Sequence, residues 1–313
     1  MPTYGISYMG SKSKIVEDLL DAIPPEKNFY DLFGGGFAVS HCALLSGKYE
    51  NVHYNEIKPD ITKLIKDSIF GKYSYKHFLP PWVSRSDFYK NKDSCAYTRL
   101  IWSFGNKQRD YLFSKNIEPK KKSLHNAVVF GQFDDISKSL LEFSCWPVYL
   151  TTIKARRLFI KNKLSGGRSR QVHPLRQLEQ LERLQQLQQL ERLQQLQQLQ
   201  QLERVNFTSL DYASVVIKSH SVIYCDIPYH NTESYCQNFD YDRFFDWAAN
   251  HEKPIYISEY DISDNRFTCI FRKKRKQGLN NINKAGTRHE VIEKLYANKA
   301  ALLTYYANSI FKS

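Results

Sequence analysis

Three features of the sequence predict an α/β fold with a doubly wound, mostly parallel sheet. Strand and helix patterns alternate over residues 1–70 and again from residue 205. A glycine triplet, Gly34-Gly35-Gly36, stands where the first strand turns into a helix. Two strands run into polar residues, Asn55-Glu56 and Asp226, at the sheet edge where α/β folds place their sites.

The elements follow in order. Ile15 to Ile23 has helical periodicity and stops at Pro24-Pro25. Asn28 to Phe33 reads as a strand, Ala38 to Leu45 as a helix, Asn51 to Asn55 as the next strand and Pro59 to Ile69 as a helix, which together make a β-α-β unit. Residues 71–172 lose this rhythm and are rich in Tyr, Phe, Trp, Ser, Asn and Lys, the composition of a recognition region or of a plain insertion. From 173 to 204 the chain is a low-complexity segment with Leu at every third position, ten times from Leu175 to Leu202. Leu, Gln, Glu and Arg favour a helix. A step of three residues advances only about 300°, so the leucines wind around the axis and build neither a coiled-coil seam nor a fixed amphipathic face. The segment is expected to be mostly α-helical, with a turn-by-turn stack as the alternative, and to serve as a spacer or a self-association surface. Beyond it, Val205 to Phe207, Ser221 to Asp226 and Pro254 to Ser258 read as strands and Phe239 to Asn250 as a helix. Residues 290–308 read as a helix-like start with a strand-like finish.

Composition bounds the function. The chain has 313 residues, 42% apolar and 25% charged, which is ordinary globular usage and excludes wholesale disorder. No apolar run approaches the ~18–20 residues that span a bilayer, and Met1 to Gly5 does not open a secretory signal, so no membrane partner is expected. The six cysteines are far apart and form no C-x-x-C pair, which argues against a disulfide framework and a zinc site and predicts a reduced, cytoplasmic protein. The net charge of +13 is concentrated: Lys154 to Arg176 and Arg266 to Arg288 each hold eight Lys or Arg and no acid. Such stretches suit a polyanion, because each neutralised phosphate releases counterions; the bland reading is a pair of solvated loops.

Two motifs carry chemistry. In Asp31-Leu32-Phe33-Gly34-Gly35-Gly36 the glycines let the backbone approach a ligand beside a helix N-terminus, and Glu56, closing the next strand, stands where nucleotide folds grip ribose hydroxyls. In Tyr224-Cys225-Asp226-Ile227-Pro228-Tyr229 an acid, a proline and an aromatic leave a buried-type strand. An exocyclic amine is a poor nucleophile because its lone pair is conjugated into the ring. A carboxylate accepting one N–H and a backbone carbonyl accepting the other draw that lone pair out, and a neighbouring aromatic stacks on the flipped base. Alone, the same residues suit an Asp capping a turn and a packed Tyr. Cys225 reads as a small core residue.

Tyr8-Met9-Gly10-Ser11-Lys12, the Phe-Gly-Gly-Gly turn, Asn55-Glu56 and Asp-Ile-Pro-Tyr stand in the order seen in Dam-like N6-adenine-specific DNA methyltransferases, which the chain resembles over residues 4–70 and 205–260. The resemblance implies a class I S-adenosylmethionine-dependent methyltransferase fold. Its catalytic domain would comprise residues 1–70 and 205–313, with target recognition in 71–172. It implies S-adenosylmethionine contacts from Tyr8 and Lys12, a hold on the methionine end by Asp31, Phe33, Gly34 and Gly36, on the ribose by Glu56, and the adenine beside Asp211-Tyr212. Asp226, Ile227, Pro228 and Tyr229 would be catalytic, with the Ile227 carbonyl as second acceptor, no metal, and double-stranded DNA as the partner. Tyr8 stands where the family usually has Trp, Ser11 where it has Gly and Ile227 where it has the first Pro. The two basic stretches would hold phosphates, and Trp102 and Phe104 would either support DNA contacts or belong to the core. N4-cytosine methylation is the alternative activity, and a non-catalytic DNA-binding relative the alternative class.

Overall fold

The computed structural model describes residues 4–74, 76–105, 108–165, 188–200, 202, 204–229, 239–276 and 290–310. In chain order the elements are α1 (Val16–Asp21), β1 (Glu26–Asp31), α2 (Ala38–Ser46), β2 (Tyr49–Asn55), α3 (Pro59–Ile69), α4 (Arg85–Asn91), α5 (Ala96–Trp102), α6 (Glu118–Phe130), α7 (Asp135–Leu141), α8 (Ile153–Ser165), α9 (Gln188–Gln197), β3 (Val205–Thr208), β4 (Ser221–Cys225), α10 (Tyr241–Asn250), β5 (Ile255–Glu259), β6 (Thr268–Lys276), β7 (Glu290–Ala297) and α11 (Lys299–Ile310). They fall into two compact units, one of Met1–Lys66 with Gln201–Ser313 and the other of Asp67–Gln200.

The first unit is built on a seven-stranded sheet in the order β3-β2-β1-β4-β5-β7-β6. Strands β1 to β5 are parallel, and β7 pairs antiparallel with both β5 and β6. The order runs outward from β1 on one side through β2 and on the other through β4. The switch point, where such folds open a crevice, therefore lies between β1 and β4. Alternation along the strands feeds two apolar layers. Phe29, Val222, Tyr224 and Tyr256 pack with Leu19, Val39 and Ala301 on one face. Tyr30, Ile223, Cys225, Ile255 and Ile257 pack with Phe244 and Ala248 on the other. Each large side chain so buried contributes roughly 1.5–3 kcal/mol.

At the C-terminus the structure reverses the expected order. The strand β7 comes first and the helix α11 second. Glu, Lys, Leu and Ala favour a helix in isolation, but residues 290–297 fill the place between β5 and β6, where Leu295 and Ala297 face one layer and Tyr296 the other. Asn298 then starts α11, its Oδ1 accepting from Ala301 N at 2.9 Å. The basic stretch from Arg266 is likewise no loop at its beginning: Thr268–Lys276 is the edge strand β6. There Lys273 pairs with Asp18, and Arg266, just before the strand, pairs with Asp246 and Asp264. Residues 277–289 lie outside the described residues.

The second unit corrects the expectation of an irregular stretch between 71 and 172, because five short helices, α4 to α8, fill it. Their signals are local. Ser84 caps α4, and Asp134 and Ser137 form a reciprocal capping box on α7. Trp102 is fully buried, with Trp82 and His125 against its ring, while Phe104 is exposed. The basic stretch from Lys154 begins in α8, and its remainder, 166–176, lies outside the described residues.

Of the Leu-x-x segment, Gln188–Gln197 is α-helical, and Leu190, Leu193, Leu196 and Leu199 are all buried. Four leucines, each stepping back about 60° from the last, span half the helix circumference in three steps. On this helix Arg192 is buried too. Its guanidinium donates to the carbonyls of Leu100 at 2.9 Å, in the last turn of α5, and of Ser103 at 2.7 Å and Gly105 at 3.2 Å, just beyond it. Residues 173–187 lie outside the described residues.

Candidate active site

A cavity of about 680 Å³ opens at the carboxyl ends of the parallel strands, within the usual range for small-molecule sites. Every site residue named from the sequence lines it: Tyr8, Lys12, Asp31, Phe33, Gly34, Gly36, Glu56, Asp211, Tyr212, Asp226, Ile227, Pro228 and Tyr229.

The glycine turn forms one wall because nothing larger fits. A Cβ on Gly34 would lie 2.1 Å from the ring of Tyr54, and one on Gly36 would lie 2.5 Å from Cβ of Tyr8. Tyr54 Oη donates to Gly35 O at 2.9 Å, and Glu56 accepts from Gly35 N at 3.0 Å and Lys58 N at 3.1 Å, so β2 fixes the turn that follows β1. Burial raises the Glu56 carboxyl above its ordinary range.

Asp31, at the end of β1, is fully buried. Its Oδ2 accepts from Ser40 Oγ at 2.7 Å, while Oδ1 is without a hydrogen-bond partner among the described residues. Burial, opposed by the Ser40 hydrogen bond and reinforced by the charges of Asp226 and Glu56, pushes its pKa up to about 7. An orphaned buried carboxylate oxygen of this kind fits a cationic ammonium.

Across the switch point, Asp226 follows β4. Lys12, itself buried, donates to Asp226 Oδ1 at 2.6 Å and to Gly10 O at 3.1 Å, and its Nζ sits 4.6 Å from the centre of the Tyr229 ring. Ile227 packs into the apolar layer with Leu32 and Phe244, so the side chain replacing proline is anchored by burial. The Pro228 carbonyl accepts from Tyr241 Oη at 2.9 Å. Tyr229 Oη donates to Glu293 Oε2 at 2.6 Å and lies 3.3 Å from Ser258 Oγ. Burial, with the charges of Asp226 and Glu293, holds the phenol well above its ordinary pKa, so it stays protonated. Cys225 is fully buried, which raises its thiol pKa and leaves it inert as a nucleophile.

A third wall is aromatic. Phe33 and Tyr212 stack with centroids 5.7 Å apart, and Asp211 caps the 3₁₀ turn Tyr212–Ser214 by accepting from Ala213 N at 3.0 Å. Arg243 binds both carboxylate oxygens of Asp211, at 3.0 and 3.3 Å, and covers the Tyr212 ring at 5.3 Å. Sequence reading missed Arg243, Glu293 and Ser258. Arg243 stands three residues after the helix-capping Asp240, a spacing that placed it on the first turn of α10 but gave no sign of Asp211 as its partner.

Among the described residues no group of three or more His, Cys, Asp or Glu is placed to hold a metal ion. None of the described helices is long and apolar enough to cross a membrane.

A glycine turn after the first strand and an Asp-x-Pro-Tyr turn after the fourth, facing one crevice at the switch point, define a class I methyltransferase architecture. No curated protein matches the chain. The chain does match, over residues 8–258, the D12 class N6 adenine-specific DNA methyltransferase family, and it belongs to that family. It is an enzyme that methylates adenine at N6 in DNA.

Proposed function

We propose that the methyl donor is S-adenosylmethionine and that the substrate is adenine flipped out of a specific duplex DNA sequence. The observation that carries this reading is the shared cavity: the orphaned carboxylate of Asp31 and the Lys12–Asp226–Tyr229 cluster line the same walls. When bound, the sulfonium of the donor supplies an activated methyl group.

The chain's residues do the rest. Asp31 Oδ1 receives the donor's ammonium while Gly34 and Gly36 keep the backbone close, with Phe33 against the methionine end. Glu56 receives the ribose hydroxyls. Asp211 and Tyr212 border the donor's adenine, and Tyr8 closes over the turn. Asp226 accepts one N–H of the target amine and the Ile227 carbonyl the other, loosening the lone pair, and Tyr229 stacks on the base. A carboxylate has about four lone-pair sites, so the hydrogen bond from Lys12 does not preclude one from the amine. As the N–C bond formed and the donor's S–CH3 bond broke, leaving a neutral thioether, positive charge would grow on nitrogen beside Asp226, which would then take the proton.

Residues 71–172 read as the target-recognition region, and Lys154, exposed on α8, suits a phosphate contact. The enzyme would act in the cytoplasm. The leucines at 190, 193, 196 and 199 are buried, so they are not free to serve self-association through the repeat.

The test is transfer of labelled methyl to unmethylated plasmid DNA. Asp226→Ala should abolish transfer while leaving DNA binding within a few-fold. Transfer by Asp226→Ala at more than a tenth of the wild-type rate would refute the assignment. Absence of transfer by the wild type would favour a DNA-binding relative, and N4-methylcytosine as the sole product would displace adenine.

A further inference from the structure

The Tyr229 hydroxyl has one proton and gives it to Glu293 Oε2 at 2.6 Å, which leaves Oη to accept from Ser258 Oγ at 3.3 Å. Glu293 is fully buried on β7, and Ser258 is fully buried on the neighbouring β5. Along β7, Glu293 occupies the row that continues through Leu295 and Ala297, two residues of the apolar layer. An aliphatic side chain would pack in that row without losing the hydration of a carboxylate, so stability alone does not call for an acid there. The rest of the Tyr229 ring is held as well. The Tyr260 ring meets it at 70° with centroids 4.4 Å apart, and Lys12 Nζ lies over one face. A base stacks on such a ring productively only when the ring plane is fixed, and displacement by about 1 Å can cost about 100-fold in rate.

We propose that Glu293, a residue beyond the matched span 8–258, is a positioning residue for adenine methylation that fixes the Tyr229 ring plane through its hydroxyl, with Ser258 as the second hold. The proposal rests on the reading of Tyr229 as the stacking aromatic.

The experiment measures kcat and KM on unmethylated plasmid DNA with labelled S-adenosylmethionine, alongside thermal unfolding, for Glu293→Leu, Glu293→Gln, Tyr229→Phe, Tyr229→Ala and the Glu293→Leu, Tyr229→Phe double variant. Glu293→Leu should lower kcat by about 10- to 100-fold with both KM values within about threefold and at most a modest fall in the unfolding midpoint, since the phenol loses an acceptor. Glu293→Gln, whose amide oxygen still accepts from the phenol, should recover to within about threefold of wild type. Tyr229→Phe should lose at least as much as Glu293→Leu, since it gives up the Ser258 contact as well, and the double variant no more than Tyr229→Phe alone, because both substitutions break the same Tyr229–Glu293 bond. Full kcat in Glu293→Leu or in Tyr229→Phe overturns the proposal, as does an equal loss in the Gln and Leu variants or an additive double. If Glu293→Leu fails to fold, Tyr229→Phe and Glu293→Gln decide alone. Full activity in Tyr229→Ala would refute the stacking reading itself, whereas an inactive Tyr229→Ala beside a fully active Glu293→Leu would refute only the role of Glu293.

Discussion

The Leu-x-x segment offers the sharpest quantitative prediction, through the substitution Arg192→Met. Burial lowers the guanidinium pKa to about 10, so it stays cationic at neutral pH, and its protons go to main-chain carbonyls at the end of α5. The last carbonyls of a helix have no partner inside it, and a cation there also meets the negative end of the helix dipole. Replacing a buried ion by an apolar side chain is often harmless when its partner leaves with it. Here the partners are backbone and remain. Of the bonds, those to Leu100 O at 2.9 Å and Ser103 O at 2.7 Å are well formed. At roughly 1.5–3 kcal/mol for each charged hydrogen bond, Arg192→Met should cost about 3–6 kcal/mol, a large share of the 5–15 kcal/mol typical of a domain. Urea unfolding followed by circular dichroism would report it as a lowered midpoint at unchanged slope. A loss below about 1 kcal/mol would refute the claim that this helix is pinned by Arg192.

Two further predictions concern the cavity. With a folded pKa of about 7 against an ordinary value near 3.8, Asp31 takes up a proton on folding between those limits. Its contribution to stability is thus fully present below about pH 4 and is lost as pH rises through 7; Asp31→Asn should flatten that part of a stability–pH profile. Donor affinity should run the opposite way: the ionised fraction of Asp31 falls from about 0.9 at pH 8 to about 0.1 at pH 6, so calorimetric Kd for S-adenosylmethionine should rise roughly tenfold, and a flat Kd would refute the pairing. Gly36→Ala forces a Cβ to within 2.5 Å of Tyr8 Cβ and 2.9 Å of Ile6 O, and should lower both donor affinity and the unfolding midpoint; a silent substitution would show that the turn has room to give.

How much of this was legible in the sequence depends on where the deciding contacts lie. The glycine turn, Glu56 and Asp226 could be read because each sits at the end of its own strand pattern, and short connections carry one element to the next. Helices α4 to α8 could not be, since each is short and its apolar residues serve a cluster assembled from several elements, as Trp102 does with Trp82 and His125. The order of β7 and α11 was missed because Glu290 to Ala297 mixes helix formers (Glu, Lys, Leu, Ala) with the strand formers Val291, Ile292 and Tyr296, and pairing on both sides decides for the strand. The repeat confused periodicity for a different reason: its leucines wind around the helix, and that pattern makes sense only for a helix buried over much of its circumference. Glu293 and Arg243 carry no motif of their own, and their partners Tyr229 and Asp211 are distant in sequence.

The two antiparallel strands bear on the site more than their place at the sheet margin suggests. β6 is the last strand, and its lysines and arginines read from sequence as a polyanion surface. Yet Lys273 is committed to Asp18, and Arg266, just before the strand, to Asp246 and Asp264. Part of the charge that looked available for phosphate therefore fastens the strand to α1 and the chain before it to α10. β6 pairs with β7, β7 pairs with β5, and that register sets Leu295 beside Ser258 and brings Glu293 to the Tyr229 hydroxyl. An edge strand rich in like charge resists pairing with another chain while still closing its own ladder. The basic composition of β6 is thus explained by protecting and anchoring the strands that hold the far wall of the cavity, and phosphate contacts need to be sought first among the basic residues that have no such acid beside them.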